Sequence, residues 1–305
     1  MNTSLTIWLD AARPKTLPMA LISILTGSTL AFAAGHYSWL VAILALLTAT
    51  LLQILSNLAN DYGDAVKGTD NEARLGPMRA IQSGDVSLKD MKYAIIINVL
   101  FTIIAGLMLV LLALDSLESI LAFIGLGVLS ILAAIAYTVG NKPYGYVGLG
   151  DLSVFIFFGL LGVSGTYFLH TGHVDFSLLL PSVGCGLLAV AVLNINNMRD
   201  IENDGLCGKK TIPVRLGEIR AKKYHIMLLS GAIISFGSYL LIQTSPMWIS
   251  IPFLLSLIVV ARHGKAVLSA SRPAQIAPML PVIVKCSVIT NLLFVGVVIM
   301  QTLTS

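Results

Sequence analysis

Fourteen residues, Asn57 to Asp70 (NLANDYGDAVKGTD), carry the densest chemistry in this 305-residue chain. Asn57, Asn60, Asp61 and Asp64 recur at helical spacing where a long apolar run closes, and Asp70 follows. Side chains three or four apart share a helix face, so amides and carboxylates gather where a hydrophobic helix meets water. A second patch lies half a chain later, NINNMRDIENDG from Asn194 to Gly205, with Asn196, Asp200 and Asp204 on successive turns. Carboxylate and amide oxygens are hard ligands suited to Mg2+ or Mn2+. Magnesium takes one or two protein carboxylates and completes its shell with waters and phosphate oxygens. Two such patches facing each other could therefore hold a phosphorylated substrate. Basic residues stand beside both: Lys67, Arg74 and Arg79 after the first, Lys209 and Lys210 after the second. They could neutralise a diphosphate directly, arginine by bidentate contact.

The elements that must position these groups are hydrophobic. The chain is 56% hydrophobic and only 11% charged, with mean hydropathy +0.89. Soluble domains carry roughly 25% charged residues, so the composition excludes a soluble enzyme and makes the lipid bilayer the solvent. A nucleic-acid partner is not expected. Apolar runs fall at about 17–34, 38–60, 93–114, 117–138, 150–169, 177–198, 224–243, 246–261 and 279–301. Each is near the ~20 residues that cross a bilayer. Residues 1 to 16 read as a short interfacial helix, with Leu5, Trp8, Leu9 and Ala12 on one face. The Ala31-Phe32-Ala33 triplet resembles a signal-peptidase site, but the run before it is long enough to span, so it reads as a retained helix.

With the N-terminus inside, 18 of the 19 Lys and Arg residues fall in inner segments and none in an outer loop; Lys285 lies within the ninth run. The positive-inside rule therefore puts both acidic motifs on the cytoplasmic side. The sequence predicts an all-α integral membrane protein of nine transmembrane helices in a single bundle around a central cavity. It reads as one domain, 1–305, with pseudo-repeat halves of about 1–145 and 146–305, because an Asn-x-x-x-Asp helix end recurs (Asn60/Asp64, Asn196/Asp200).

Other polar residues read more plainly. Asp85, Asp90 and Glu218 suit caps or solvated loops. Asp151 opens the fifth run, where a carboxylate suits the helix dipole. Lys285 either snorkels to the interface or faces the cavity. Cys185, Cys207 and Cys286 lack metal or disulfide spacing, and His225 and His263 lack ligand spacing. Secondary transporters also have repeated halves, but they bind near the bilayer midplane, whereas these acids gather at helix ends.

The motifs resemble those of the UbiA superfamily of intramembrane prenyltransferases. The carrying residues are Asn60-Asp61-Tyr62-Gly63-Asp64 after the second run and Asp200-Ile201-Glu202-Asn203-Asp204 after the sixth. Arg13-Pro14, Arg79 with Ser83-Gly84, and Tyr137-Thr138 extend the resemblance over essentially the whole chain. Segments 58–84, 136–151, 193–205 and 208–218 look most like the branch that prenylates 1,4-dihydroxy-2-naphthoate in menaquinone synthesis, at the bacterial inner membrane. The resemblance implies that Asp61, Asp64, Asp200 and Asp204, with Asp70 beside them, bind Mg2+ and through it a polyprenyl diphosphate. It implies that Asn57, Asn60 and Asn196 orient them or the metal waters; Tyr137 and Lys142, on the cytoplasmic side, are secondary candidates to contact diphosphate or acceptor. Many relatives place the last acid four residues after Asp64, whereas Asp70 is six on. Another aromatic acceptor, 4-hydroxybenzoate or homogentisate, is the nearest alternative.

Overall fold

A computed structural model describes residues 4–243 and 246–304. Among these every regular element is helical: α1 Ser4–Ala12, α2 Leu17–Ala33, α3 Trp39–Val66, α4 Leu88–Ala113 and α5 Leu117–Ala136. The second half comprises α6 Gly150–Thr171, α7 Phe176–Arg199, α8 Ile201–Leu206, α9 Ile212–Leu216 and α10 Glu218–Ile242, then α11 Met247–Ser269, α12 Pro273–Ile276 and α13 Met279–Thr304. A short 3-10 turn, Tyr144–Val147, precedes α6. Serine starts three of the long helices: the hydroxyls of Ser38, Ser87 and Ser116 accept from the amides of Val41, Asp90 and Ser119, satisfying donors a helix start leaves open.

Among the described residues eight helices are long and apolar enough to cross a membrane. The first expected span, α2, has 17 residues and passes that test only jointly with α1, from which it bends by 56°. Its partner α1 also turns a different face inward than expected. Ile7, Trp8 and Ala11 pack on Leu58 and Met91, while Leu5 and Leu9 are exposed. Small Ala11 permits the close approach that a larger face would block. Residues 1–3 of the predicted interfacial helix, and 244–245 of the predicted outer loop, lie outside the described residues.

The largest apolar cluster joins α7, α10, α11 and α13, with Phe236, Phe253 and Phe294 meeting edge to face or tilted. Smaller clusters join α2, α3 and α4, and α1, α3 and α4. Leucines 100, 111, 129 and 132 are exposed, as lipid-facing side chains of a spanning helix should be. The middle of α6 is π-helical, Phe155–Gly165, and Gly159 there meets the backbone of Ser182 and Gly186 on α7.

At 28 residues α3 is about 42 Å long at 1.5 Å per residue, well beyond the ~30 Å hydrocarbon thickness. Its last turns therefore reach the headgroup zone, and the first acidic motif lies inside this helix rather than after it. Gly63 lets that end dock. A Cβ there would stand 2.6 Å from the Thr138 side chain and 2.7 Å from its carbonyl carbon, while the Thr138 hydroxyl donates to Ala59 O at 2.9 Å. Gly63→Ala is expected to destabilise the protein by about 1–3 kcal/mol through overpacking, read as a lower melting temperature in detergent. Gly125→Ala, where nothing lies within 4 Å, should be neutral; equal effects at both positions would refute the docking role.

Candidate active site

The end of α3 meets the α7–α8 junction across a loop folded back from α3. Asn60, Asp64, Thr69, Arg74, Arg79 and Tyr137 line one side of a polar cavity of roughly 30 Å³, and Leu193, Asn196, Asn197, Asp200, Asp204 and Lys209 line the other. That volume is about one water; cationic side chains fill the rest. The loop is pinned to the second motif by Asn203, whose amide donates to Thr69 O at 2.9 Å.

Two cations bridge the motifs. Lys209 Nζ stands 3.7 Å from Asp64 Oδ1 and 3.9 Å from Asp204 Oδ1. Arg74 Nε stands 3.3 Å from Asp70 Oδ1 and 3.6 Å from Asp200 Oδ2. Arg79 Nη1 donates to Asp61 Oδ1 at 2.8 Å, Arg13 pairs with the same oxygen, and Arg199 Nε donates to Asp200 Oδ1 at 3.0 Å. Asp61, Asp64, Asp200 and Asp204 are all buried, so each charge demands such a partner. Tyr146 completes the Asp64 shell: its hydroxyl donates to Asp64 Oδ1 at 2.7 Å and lies 2.6 Å from Thr69 Oγ1. Burial and the nearby Asp64 charge push its phenol above the usual range, which keeps it a neutral donor.

Burial pushes the Asp70 carboxyl up to about 7, with the Asp64 charge adding to the effect and Arg74 opposing it. Burial likewise pushes Asp204 up to about 6 against the pull of Lys209. Neither Asp70 oxygen accepts a hydrogen bond, and the buried Asn60 Oδ1 has no partner. These are unsatisfied oxygen acceptors, the donor type that Mg2+ or Mn2+ prefers. Among the described residues no three His, Cys, Asp or Glu side chains are grouped to cage an ion alone. The four aspartates expected to bind metal are thus not a preformed cage, because the arginines and Lys209 occupy their oxygens. The residues fit a cation that takes one or two carboxylates and completes its shell with substrate oxygens.

Asp61, Asp64, Asp70, Asp200, Asp204, Asn60, Asn196, Arg74, Arg79, Tyr137 and Lys209 all belong to this cluster. Asn57 does not reach the cavity: its amide donates to Ala12 O at 2.9 Å and so grips the end of α1. Asn196 Oδ1 accepts from Arg199 Nη2 at 3.0 Å, so it orients a cation rather than a carboxylate. Lys67 is exposed, its ammonium 5.7 Å from the Tyr146 ring centroid, and Lys142 is exposed outside the cavity. Lys210 points its side chain outward and contributes backbone instead, its amide donating to Tyr146 O at 2.9 Å. Lys285 is exposed on α13, which favours snorkelling.

Sequence reasoning gave no role to Arg13, Arg199, Thr69, Tyr146, Asn197 and Asn203. Arg199 carried a usable signal, since a cation at the end of an apolar run needs a partner. His225 and His263, widely spaced in sequence, meet inside the bundle with Nε2 atoms 3.0 Å apart.

The UbiA prenyltransferase family model matches residues 20–284. The chain is 48% identical to the 1,4-dihydroxy-2-naphthoate octaprenyltransferase of Haemophilus influenzae, over 96% of each chain. It is 49% identical to the Escherichia coli protein of the same name, over 94% of this chain and 93% of that one. Among solved structures, a UbiA homologue from Archaeoglobus fulgidus bound to DMAPP and Mg2+ superposes with a TM-score of 0.64. That match has 17% identity and covers 95% of this chain and 99% of that one; it establishes a shared fold.

The raised carboxyls set a pH dependence. Asp70 and Asp204 hold their protons to higher pH in the fold than in the unfolded chain, where aspartate titrates near ~4. The fold therefore loses stability from these groups as pH rises from about 4 toward 7. The metal-free protein is expected to melt at a higher temperature at pH 5 than at pH 7.5, with Asp70→Asn narrowing that gap. A gap unchanged by Asp70→Asn would contradict the assignment.

Proposed function

The chain belongs to the UbiA prenyltransferase family, and on that premise we propose that it prenylates 1,4-dihydroxy-2-naphthoate. The reaction moves a polyprenyl group from polyprenyl diphosphate to the naphthoate ring, with loss of carbon dioxide, and yields demethylmenaquinol, a step of menaquinone biosynthesis. The observation that carries this reading is the pair of acidic motifs sharing Lys209 and Arg74 in one buried polar cavity. The naphthoate acceptor is supported by the names of relatives that span nearly the whole chain.

A divalent cation, when held by Asp61, Asp64, Asp200 and Asp204, supplies positive charge to the diphosphate oxygens. Asn60, through its unpaired oxygen, and Asp70 stand beside that set. Arg74, Arg79 and Lys209, now paired with carboxylates, are the cations placed to meet diphosphate once those carboxylates are engaged. They stabilise the charge that builds on the leaving group. The allylic C1–O bond breaks and its electron pair leaves with diphosphate. The electron-rich ring carbon bonds to C1, and the carboxylate departs as carbon dioxide, returning its bond pair to the ring. No net proton is taken up or released. The apolar helices around the site exclude water from the allylic cation.

The finer topology is part of the same reading. Counting α1 and α2 as one bent span gives nine crossings, with the N-terminus and the site cytoplasmic, supported by the one-sided Lys and Arg distribution. The membrane is then the bacterial inner membrane, and α3 and α7 are equivalent helices of halves 1–145 and 146–305.

Asp64→Ala or Asp200→Ala is expected to abolish Mg2+-dependent transfer, at least a hundredfold, while the purified protein stays folded by thermal melting. Near-normal turnover in either would contradict the roles given. Membranes incubated with labelled polyprenyl diphosphate and a panel of aromatic acids should prenylate dihydroxynaphthoate. Prenylation of 4-hydroxybenzoate instead would change the acceptor.

A further inference from the structure

A second cavity, of about 720 Å³ and open at one side, lies between α1, α3 and α4. That size falls within the ~300–1,000 Å³ of small-molecule sites. Its walls change character along α4. Asp85 and Asp90 line it at the start of α4; deeper along the helix Ile54 with the half-exposed Ile97 and Phe101 makes an apolar wall. Each acid already accepts one serine hydroxyl at 2.6 Å through Oδ2, Ser83 on Asp85 and Ser87 on Asp90. No donor among the described residues reaches either Oδ1. Lys89, between the two acids in sequence, does not line the cavity but stands beside it, its ammonium 6.0 Å from the ring centroid of Tyr93, a wall residue.

Asn98 lies two turns below Asp90, about 12 Å along the axis at 1.5 Å per residue. It is 8% exposed. Its Oδ1 is reached by the Thr102 hydroxyl at 3.4 Å, while its Nδ2 has no hydrogen-bond partner among the described residues. An unpartnered amide on an apolar helix at this depth is costly unless something accepts from it. Along α4 the groove thus offers two carboxylates with an ammonium beside them at its start, one amide donor two turns on, and an apolar stretch beyond.

We propose that this groove binds an aminophospholipid of the phosphatidylethanolamine type. The lipid ammonium would meet Asp85 and Asp90, its phosphate Lys89, an ester carbonyl the Asn98 amide, and an acyl chain the apolar wall. The two lining carboxylates oppose an anionic lipid, whose headgroup would face them. Trp8 and Ala12 of α1 form the opposite wall, so a bound lipid fastens α1 against α3. The next residue, Arg13, pairs with Asp61 of the polar cavity, so the lipid stands one wall away from the site already described. This inference does not depend on which acceptor is prenylated.

Trp8 reports on the groove, because the two other tryptophans, Trp39 and Trp248, lie exposed at other helix starts. In the full chain carrying Trp39→Phe and Trp248→Phe, in phosphatidylcholine nanodiscs, Trp8 fluorescence would be titrated with acyl-brominated phosphatidylethanolamine or phosphatidylglycerol. The ethanolamine lipid should quench at a mole fraction at least threefold lower than the glycerol lipid. Asp85→Asn with Asp90→Asn should erase that preference while the protein stays folded by thermal melting, and Ala94→Phe, which fills the groove, should weaken quenching by both. Native mass spectrometry of the unmodified chain should retain ethanolamine lipid over glycerol lipid in the same order. Equal quenching by the two lipids would overturn the proposal, as would a preference that survives the double substitution. Relief of quenching by a polyprenyl diphosphate would also overturn it, assigning the groove to the donor tail.

Discussion

The structure depends on one electrostatic constraint: Asp61, Asp64, Asp70, Asp200 and Asp204 converge in a buried space. Two charges 4 Å apart interact by about 4 kcal/mol at an effective dielectric near 20, so five carboxylates cannot gather unopposed. Arg13, Arg74, Arg79, Arg199 and Lys209 answer them. These cations come from the α1–α2 junction, the loop after α3, the end of α7 and the loop after α8. The charge balance therefore ties together segments that the apolar packing leaves separate. Because Lys209 and Arg74 are shared between motifs, neither acidic patch is neutralised without the other half of the chain. The same sharing leaves the site ready for an anionic ligand: once the carboxylates take a cation of their own, the basic side chains are free to meet phosphate.

Both the acids and the helices that carry them were legible in the sequence, for related reasons. Asp61 and Asp64 are costly on an apolar helix, so their presence signals a purpose, and the same apolar background makes the spans visible. Asp70 was harder to place because its spacing departs from many relatives, yet Arg74 one turn on draws it into the cluster. Of the lysines, Lys209 lies in the cavity, whereas Lys67, Lys142 and Lys210 are exposed outside it. Lys67 and Lys210 stand next to the motifs in sequence, but glycines at positive φ, Gly68 (71°) and Gly208 (74°), turn the chain where each helix ends. Adjacency along the chain then says little about which way a side chain faces. Asn57 misled differently: it shares the helix face with Asn60 and Asp61, but α1 covers it. Arg13 and Tyr146 acquire their roles only from long-range packing, which no local pattern encodes.

The interfacial helix α1 links the membrane to this chemistry. Its end is held by Asn57 through Ala12 O, and Arg13 follows on Asp61. Arg13 has φ of 54°, the sole non-glycine residue at positive φ among the described residues, a conformation that packing must enforce. The bend between α1 and α2 is thus fixed by the same carboxylate that anchors the first motif. The apolar face of α1 and the polar cavity are two sides of one wall.

The most direct test of the shared cavity is a double-mutant cycle. Mg2+-dependent affinity for farnesyl thiodiphosphate, an unreactive donor analogue, would be measured calorimetrically for the wild type, Asp64→Asn, Asp200→Asn and the double variant. If both motifs grip one diphosphate, each single substitution removes most of the binding and the second adds little, giving strong coupling. Independent, additive losses would contradict a site built jointly by the two halves.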